Sequence, residues 1–263
     1  MEKIPLPKKI SISPSEKKNT ASIAIEPCFP GHGTTLGNAL RRNLLSILPG
    51  AAVVAFKLKG ASHEFSTIKG VKEDLVEISL NLKKLRLKVH SGEQVRLELN
   101  VKGAKEVTAG DISKNSDVEV VNTDLVIATL TEKTAEFSME ILVSQGRGYV
   151  TTETHEKEAT ESGMVYIDSS FSPVERVGFR VERVRVGQMT NWDRLIFDIE
   201  TDGTLSPEEA LRYASEDLIS QFSYILENVG KESDENTADT DEGEVAEEPE
   251  EETKDDKKEN EKK

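Results

Sequence analysis

The stretch Gly31-His32-Gly33-Thr34-Thr35-Leu36-Gly37-Asn38-Ala39-Leu40-Arg41-Arg42-Asn43-Leu44-Leu45-Ser46-Ile47-Leu48-Pro49-Gly50 carries a helix and a hard stop. Leu36, Leu40, Leu44, Ile47 and Leu48 recur at helical spacing and predict a helix over Thr35 to Leu48, capped by Thr34 or Thr35. Pro49-Gly50 ends it. Asn38, Arg42 and Leu45 fall on a second stripe, which sets a cation beside an exposed leucine. Gly37 costs a helix about 1 kcal/mol against alanine, so a neighbour is expected to approach the backbone closely there. The glycines at 31, 33 and 37 invite a phosphate-loop reading, but no GK[ST] follows and the spacing does not continue as GxGxxG. A tight turn accounts for them more simply.

A second long helix is signalled near the other end of the chain. In Leu205-Ser206-Pro207-Glu208-Glu209, Ser206 is placed to cap the amide of Glu209, the Glu209 carboxylate to reach back, and Pro207 to occupy the first helical position. The helix should run to about Asn228, with Gly230 just past its end. Leu211, Ala214, Leu218, Phe222, Ile225 and Val229 form one seam, and Ser215, Ile219, Phe222 and Leu226 an adjacent one. That apolar arc is wider than a helix lying on one sheet requires.

Strands fill the space between. Phe179–Val186 and Leu195–Ile199 alternate, with Gly187 to Arg194 as their connection, and Ile10–Ile12 and Ser22–Ile25 add two more. The middle of the chain has its own pattern: strands at Val53–Leu58, Leu85–Val89, Gln94–Lys102, Leu125–Thr131 and Phe137–Val143, and a helix at Val71–Lys84. An α+β fold is expected, with a discontinuous outer domain of antiparallel sheet plus two long helices over residues 1–50 and 167–229. An inserted α+β domain occupies residues 51–166. From Lys231 to Lys263 there is no Leu, Ile, Phe, Tyr or Trp, so residues 230–263 are expected to form a disordered acidic tail.

Composition narrows the function. The 263 residues are 36% hydrophobic and carry a formal charge of −15. The tail holds 16 acids and six lysines, net −10, which leaves −5 for residues 1–229. No apolar run approaches the roughly 18–20 residues of a membrane span, and MEKIPLPKK lacks the apolar stretch of a secretory signal. One cysteine, Cys28, forbids an internal disulfide, and four histidines without HExxH or paired spacing give no metal set. A soluble cytoplasmic protein without cofactor or metal is expected. His32 has no acid or nucleophile nearby in sequence, Gly146-Arg147-Gly148-Tyr149 suits a turn or a chain contact, and Lys83, Lys84, Arg86 and Lys88 form a basic run. Those cations fit either a helix C-terminal dipole or an ion-paired contact surface. Nothing assembles a nucleophile, a base and an orienting group, so no catalytic residue is expected.

Residues 33–42, from Gly33-Thr34-Thr35-Leu36-Gly37 to Arg41-Arg42, with Leu44-Leu45-Ser46 and Pro49-Gly50, resemble the signature of the bacterial RNA polymerase alpha subunit. His63-Glu64-Phe65-Ser66-Thr67, Gly70-Val71-Lys72-Glu73-Asp74, Asn81-Leu82-Lys83, Gly146–Tyr149, Phe171–Val177 and Thr201–Ala210 continue the likeness in order over about residues 20–228. The resemblance implies an amino-terminal region in which the two long helices form a homodimer, the platform on which the beta and beta-prime subunits assemble for transcription. Its implied role is that of a non-catalytic subunit of a nucleotidyltransferase.

By the same resemblance, Arg42, Leu45, His63, Glu64, Ser66, Thr67 and Asp74 would contact the beta subunit. Lys83, Pro173, Val174, Glu175 and Arg176 would contact beta-prime. Leu36, Leu40, Leu44, Ile47, Leu218, Phe222, Ile225 and Leu226 would line the dimer interface. Two departures stand out. Asn43 replaces the family's usual aliphatic residue and needs a hydrogen-bond partner if buried. The acidic tail stands where the family continues to a DNA-binding domain, so no sequence-specific DNA binding is expected from this chain. The alternative is a stand-alone dimeric scaffold of the same fold outside polymerase.

Overall fold

Alternating apolar residues build two large antiparallel sheets, each with its own core, beside two smaller two-stranded ones. The computed structural model describes residues 4–15, 17–61, 64–92, 94–157 and 163–229; the tail lies outside the described residues, as does His63. In chain order the elements are β1 (Lys9–Pro14), β2 (Thr20–Cys28), α1 (His32–Ser46), β3 (Pro49–Leu58), α2 (Leu75–Leu82), β4 (Leu87–Val89), β5 (Val95–Lys102) and β6 (Glu106–Thr108). Next come β7 (Val118–Val120), β8 (Val126–Thr129), β9 (Glu136–Arg147), β10 (Tyr149–Val150), α3 (Thr152–Lys157) and β11 (Val165–Tyr166). The last four are β12 (Ser169–Ser170), β13 (Val174–Val186), β14 (Met189–Thr201) and α4 (Pro207–Asn228).

The first sheet has the order β1-β2-β14-β13. Ile23, Leu195, Phe197, Ile199 and Val177 line its inner face, where α1 lies across β13 and β14 and adds Leu40 and Leu44, with Leu48 following just past its end. Helix and sheet meet at glycine. A Cβ on Gly37 would stand 2.6 Å from the Phe179 ring, and one on Gly33 would stand 3.0 Å from Val181 and Asp193. The close approach predicted at Gly37 is therefore present, and it sets how deep the helix sits.

The second sheet runs β5-β9-β3-β4-β7, with β11 paired to β3. Leu97, Leu99, Phe137, Met139, Ile141, Phe56 and Val53 pack beneath α2, which contributes Leu75, Ile78 and Leu82. β3 is buried on both faces, Val54 and Ala52 meeting Phe171 on the far side. A bulge between Val53 and Ala55 accompanies its unbroken buried run from Ala52 to Phe56.

Several expectations change at element ends. α1 begins at His32 behind Gly31, which adopts a left-handed conformation, so neither Thr34 nor Thr35 is its cap. α2 spans Leu75–Leu82 rather than Val71–Lys84, because Asp74 accepts the Glu77 amide at 2.7 Å and starts the helix there. Val71 instead bridges Leu130. The β13–β14 connection is only Gly187-Gln188, since pairing extends to Val186↔Met189. The short strands β6, β7, β10, β11 and β12 and helix α3 carry too few residues for periodicity to reveal them. At α4, Ser206 Oγ accepts the Glu209 amide at 3.2 Å and Glu209 Oε2 accepts the Ser206 amide at 3.0 Å, the reciprocal cap its sequence predicts.

Candidate interaction surfaces

A helix start offers unpaired amides that favour an anion, and at α1 that anion comes from the chain itself. Asp193 Oδ2 accepts from the Gly31 amide at 2.8 Å and the Gly33 amide at 3.3 Å. Asp193 is buried, with Arg183 Nη1 3.7 Å from its other oxygen. Its proximity, second to burial itself, pushes the Cys28 thiol up. The phosphate-loop reading closes here, because the site is filled. Sequence reasoning passed over Asp193, although extending the Leu195-Phe197-Ile199 alternation back one step puts it on the inward face. His32 is exposed and lies edge-on to Phe29.

A serine–histidine pair also escaped the sequence reading. His155 Nε2 lies 3.1 Å from Ser169 Oγ, both buried. The Ser169 hydroxyl donates to the Val53 carbonyl at 2.7 Å, so its oxygen is left to accept from the histidine. The arrangement ties α3 to β12 and β3. Among the described residues no group of three or more His, Cys, Asp or Glu could hold a metal ion, and no helix is long and apolar enough to cross a membrane.

On the outer side of α1, Arg42 is exposed and Leu45 half-buried beside it, so these two of the proposed beta contacts are presented together. Leu36 is exposed and Ile47 half-buried. Leu40 and Leu44 require correction. They pack against the sheet within the chain's own core, Leu44 with no exposed surface, and have nothing to offer a second copy. Asn43, 4% exposed, finds the partner it needs: its Nδ2 donates to the Ala214 carbonyl at 2.6 Å and to Asp217 Oδ2 at 3.3 Å. Beside this crossing a cleft of about 490 Å³ opens between Ile47, Leu48, Lys88, Arg147, Tyr213 and Asp217.

α4 begins buried, at Pro207, Ala210 and Ala214, with Leu211 and Leu218 half-covered. Ile219 is exposed. The residues from Phe222 on form a separate unit, whose described part is the end of α4 and Val229. There Phe222 is 60% exposed and Leu226 81%, and Tyr224, Ile225 and Val229 are likewise open. The wide apolar arc predicted from sequence is uncovered surface over this length.

In the second sheet's region, Glu64 and Thr67 are exposed and Ser66 half-buried, its carbonyl accepting the Leu75 amide. Asp74 serves α2 as its cap. Exposed Phe65 and Val76 flank a hollow of about 200 Å³ that also reaches Glu64, Leu75 and Lys83. Lys83 and Tyr149 converge on Asp168, which takes Lys83 Nζ at 3.0 Å and the Thr152 amide and hydroxyl at 2.9 and 2.8 Å. Those donors, the Thr152 amide first, hold the Asp168 carboxyl well below the usual carboxylate range. The Tyr149 phenol, hydrogen-bonded to Asp168, is pushed up.

Arg86 joins the two sheets, its Nη2 3.0 Å from Glu175 and its Nε 3.9 Å from Asp202. The basic run is thus partly an ion-paired surface: Lys83 and Arg86 are both spoken for. Glu175 and Arg176 are exposed, but Pro173 and Val174 are buried and present no side chain to a partner. In Gly146-Arg147-Gly148-Tyr149, Gly146 makes a chain contact, while Gly148 takes a positive φ with open space around it. A Cβ on Gly146 would stand 2.9 Å from the Phe171 ring, and Gly50 lies so close to the Phe171 carbonyl that no Cβ would fit.

Residues 54–172 match the family model of the RNA polymerase Rpb3/RpoA insert domain. That span holds α2, the second sheet apart from the start of β3, Lys83 and the Tyr149–Asp168 contact. Two antiparallel sheets, an insert that matches this model and the ordered motifs on both sides of it agree. Over residues 54–172 the chain is similar to the RNA polymerase Rpb3/RpoA insert domain, and this match supports a subunit of the RNA polymerase alpha type.

Proposed function

We propose that this subunit forms a homodimer and serves as the platform on which the beta and beta-prime subunits of a bacterial RNA polymerase assemble in the cytoplasm. It contributes no catalytic group of its own. The observation that carries the reading is the uncovered end of α4, where Phe222, Ile225 and Leu226 are all exposed. Large apolar side chains left exposed together along one helix mark a protein–protein interface. An arginine beside an apolar anchor, as at Arg42 and Leu45, is a hot-spot composition, and it supports a beta contact together with Glu64, Ser66, Thr67 and Asp74. Lys83, Glu175 and Arg176 form the beta-prime side. The domains of this platform are residues 1–50 with 167–229, and 51–166.

Affinity capture of the tagged chain from its native cytosol, beside Arg42→Ala, tests the reading. Two very large subunits should co-elute with the wild type and be depleted with Arg42→Ala. Recovery of the wild-type chain alone would instead support a stand-alone scaffold.

A further inference from the structure

We propose that Asn43 is a positioning residue: it selects the register of α4 on α1 and so the geometry in which two copies of this chain associate. The second half of the statement rests on the self-association proposed above. Leu36, Leu40 and Asn43 succeed one another along a single line of α1, which Ile47 continues at its C-cap. Three of the four are apolar, and Asn43 is buried among apolar neighbours that include Leu40, Leu44 and Ala214. Its amide donates to two acceptors on α4, the Ala214 carbonyl at 2.6 Å and the Asp217 carboxylate at 3.3 Å.

The pair of acceptors is what makes the contact selective. Main-chain carbonyls recur along a helix, so a bond to Ala214 alone would survive a slide of α4 by one turn, about 5.4 Å. A carboxylate does not recur: on this part of α4 only Asp217 stands one turn beyond the carbonyl that Asn43 reaches. One register therefore gives the second bond a carboxylate; a turn back, its place falls to Tyr213 or Ala214, and a turn on, to the neutral Ser220 or Gln221. An aliphatic side chain at 43 would pack in several registers with little preference. A single buried asparagine in an apolar helix contact is a recognised means of choosing register at some cost in stability. Leu211, Leu218 and Ile219, on the same stretch of α4, are then held in one presentation.

The experiment compares the full chain with Asn43→Leu by three readouts: thermal midpoint, dimer dissociation constant from sedimentation, and amide exchange at Ala214–Leu218 in dilute solution. Asn43→Leu should keep or raise the midpoint, speed exchange at Ala214–Leu218, and weaken the dimer by about tenfold or more. An unchanged dimer constant in a folded variant overturns the association half. Unchanged exchange overturns the register half. If the wild type never dimerises, the homodimer reading fails, while exchange still decides the register. Should Asn43→Leu not fold, Asp217→Ala keeps the Ala214 bond and should move exchange and dimer constant the same way by less; no movement in either overturns the proposal.

Discussion

Both long helices begin with their amides satisfied, by opposite means. At α4 the acceptor is local: Ser206 and Glu209, three residues apart, cap one another's amides. At α1 the N-cap is Gly31, which has no side chain, and the acceptor arrives from β14 more than 160 residues later. A local cap belongs to its own helix and survives whatever that helix packs on. The remote cap exists only when β14 is registered against β2 and β13, so forming α1 and forming the sheet are coupled. The same contrast runs along their faces, for α1 buries Leu40 and Leu44 while α4 leaves Ile219, Phe222, Ile225 and Leu226 open.

Mutations should separate the two arrangements, the remote cap giving the largest change. Asp193→Ala strands the buried Gly33 amide and the part-buried Gly31 amide and removes a charged acceptor, and should cost about 3 kcal/mol in chemical unfolding. Asp193→Asn, which keeps an acceptor oxygen, should cost clearly less; equal losses would mean that packing, not capping, is what Asp193 provides. Gly37→Ala comes next. The better helix propensity gains about 1 kcal/mol, but the added methyl meets Phe179, and a net loss of about 2 kcal/mol is expected. Ser206→Ala should cost about 1 kcal/mol, and a loss as large as that of Asp193→Ala would erase the distinction between local and remote caps.

The smallest effect is electrostatic. Asp168 has its carboxyl held down in the folded chain. Its contribution is therefore fully present above the ordinary carboxylate range and is lost as pH falls through the lowered folded value. Asp168→Asn should lower the melting temperature slightly at neutral pH, with the gap to wild type closing toward acid. A gap that stays constant with pH would assign the loss to shape rather than charge.

Legibility in the sequence divides along the same line between local and remote. Ser206, Pro207 and Glu209 announce α4 within four residues, and Gly37 announces the close approach of β13 and β14 by being an expensive residue in a helix. The strands β2, β3, β5 and β9 show in their apolar runs. Asp193 stays hidden because its partners are remote in sequence, and α2 reads too long because Val71 fits the helical period while serving a bridge to Leu130. Among the residues that motifs propose as contacts, exposure separates what motifs cannot. Arg42, Glu64, Thr67, Lys83, Glu175 and Arg176 face outward, while Leu40, Leu44, Pro173 and Val174 support the fold from within. A motif marks a neighbourhood; the buried side of it is invisible until the sheet is assembled.

Sedimentation equilibrium of the full chain beside the double variant Phe222→Glu/Leu226→Glu tests the central claim about the open face of α4. Both residues are exposed, so the charges should leave the melting temperature of the monomer little changed. The account predicts a wild-type dimer and a folded, monomeric variant. A wild type that stays monomeric at every concentration, or a variant that dimerises as well as the wild type, would contradict it.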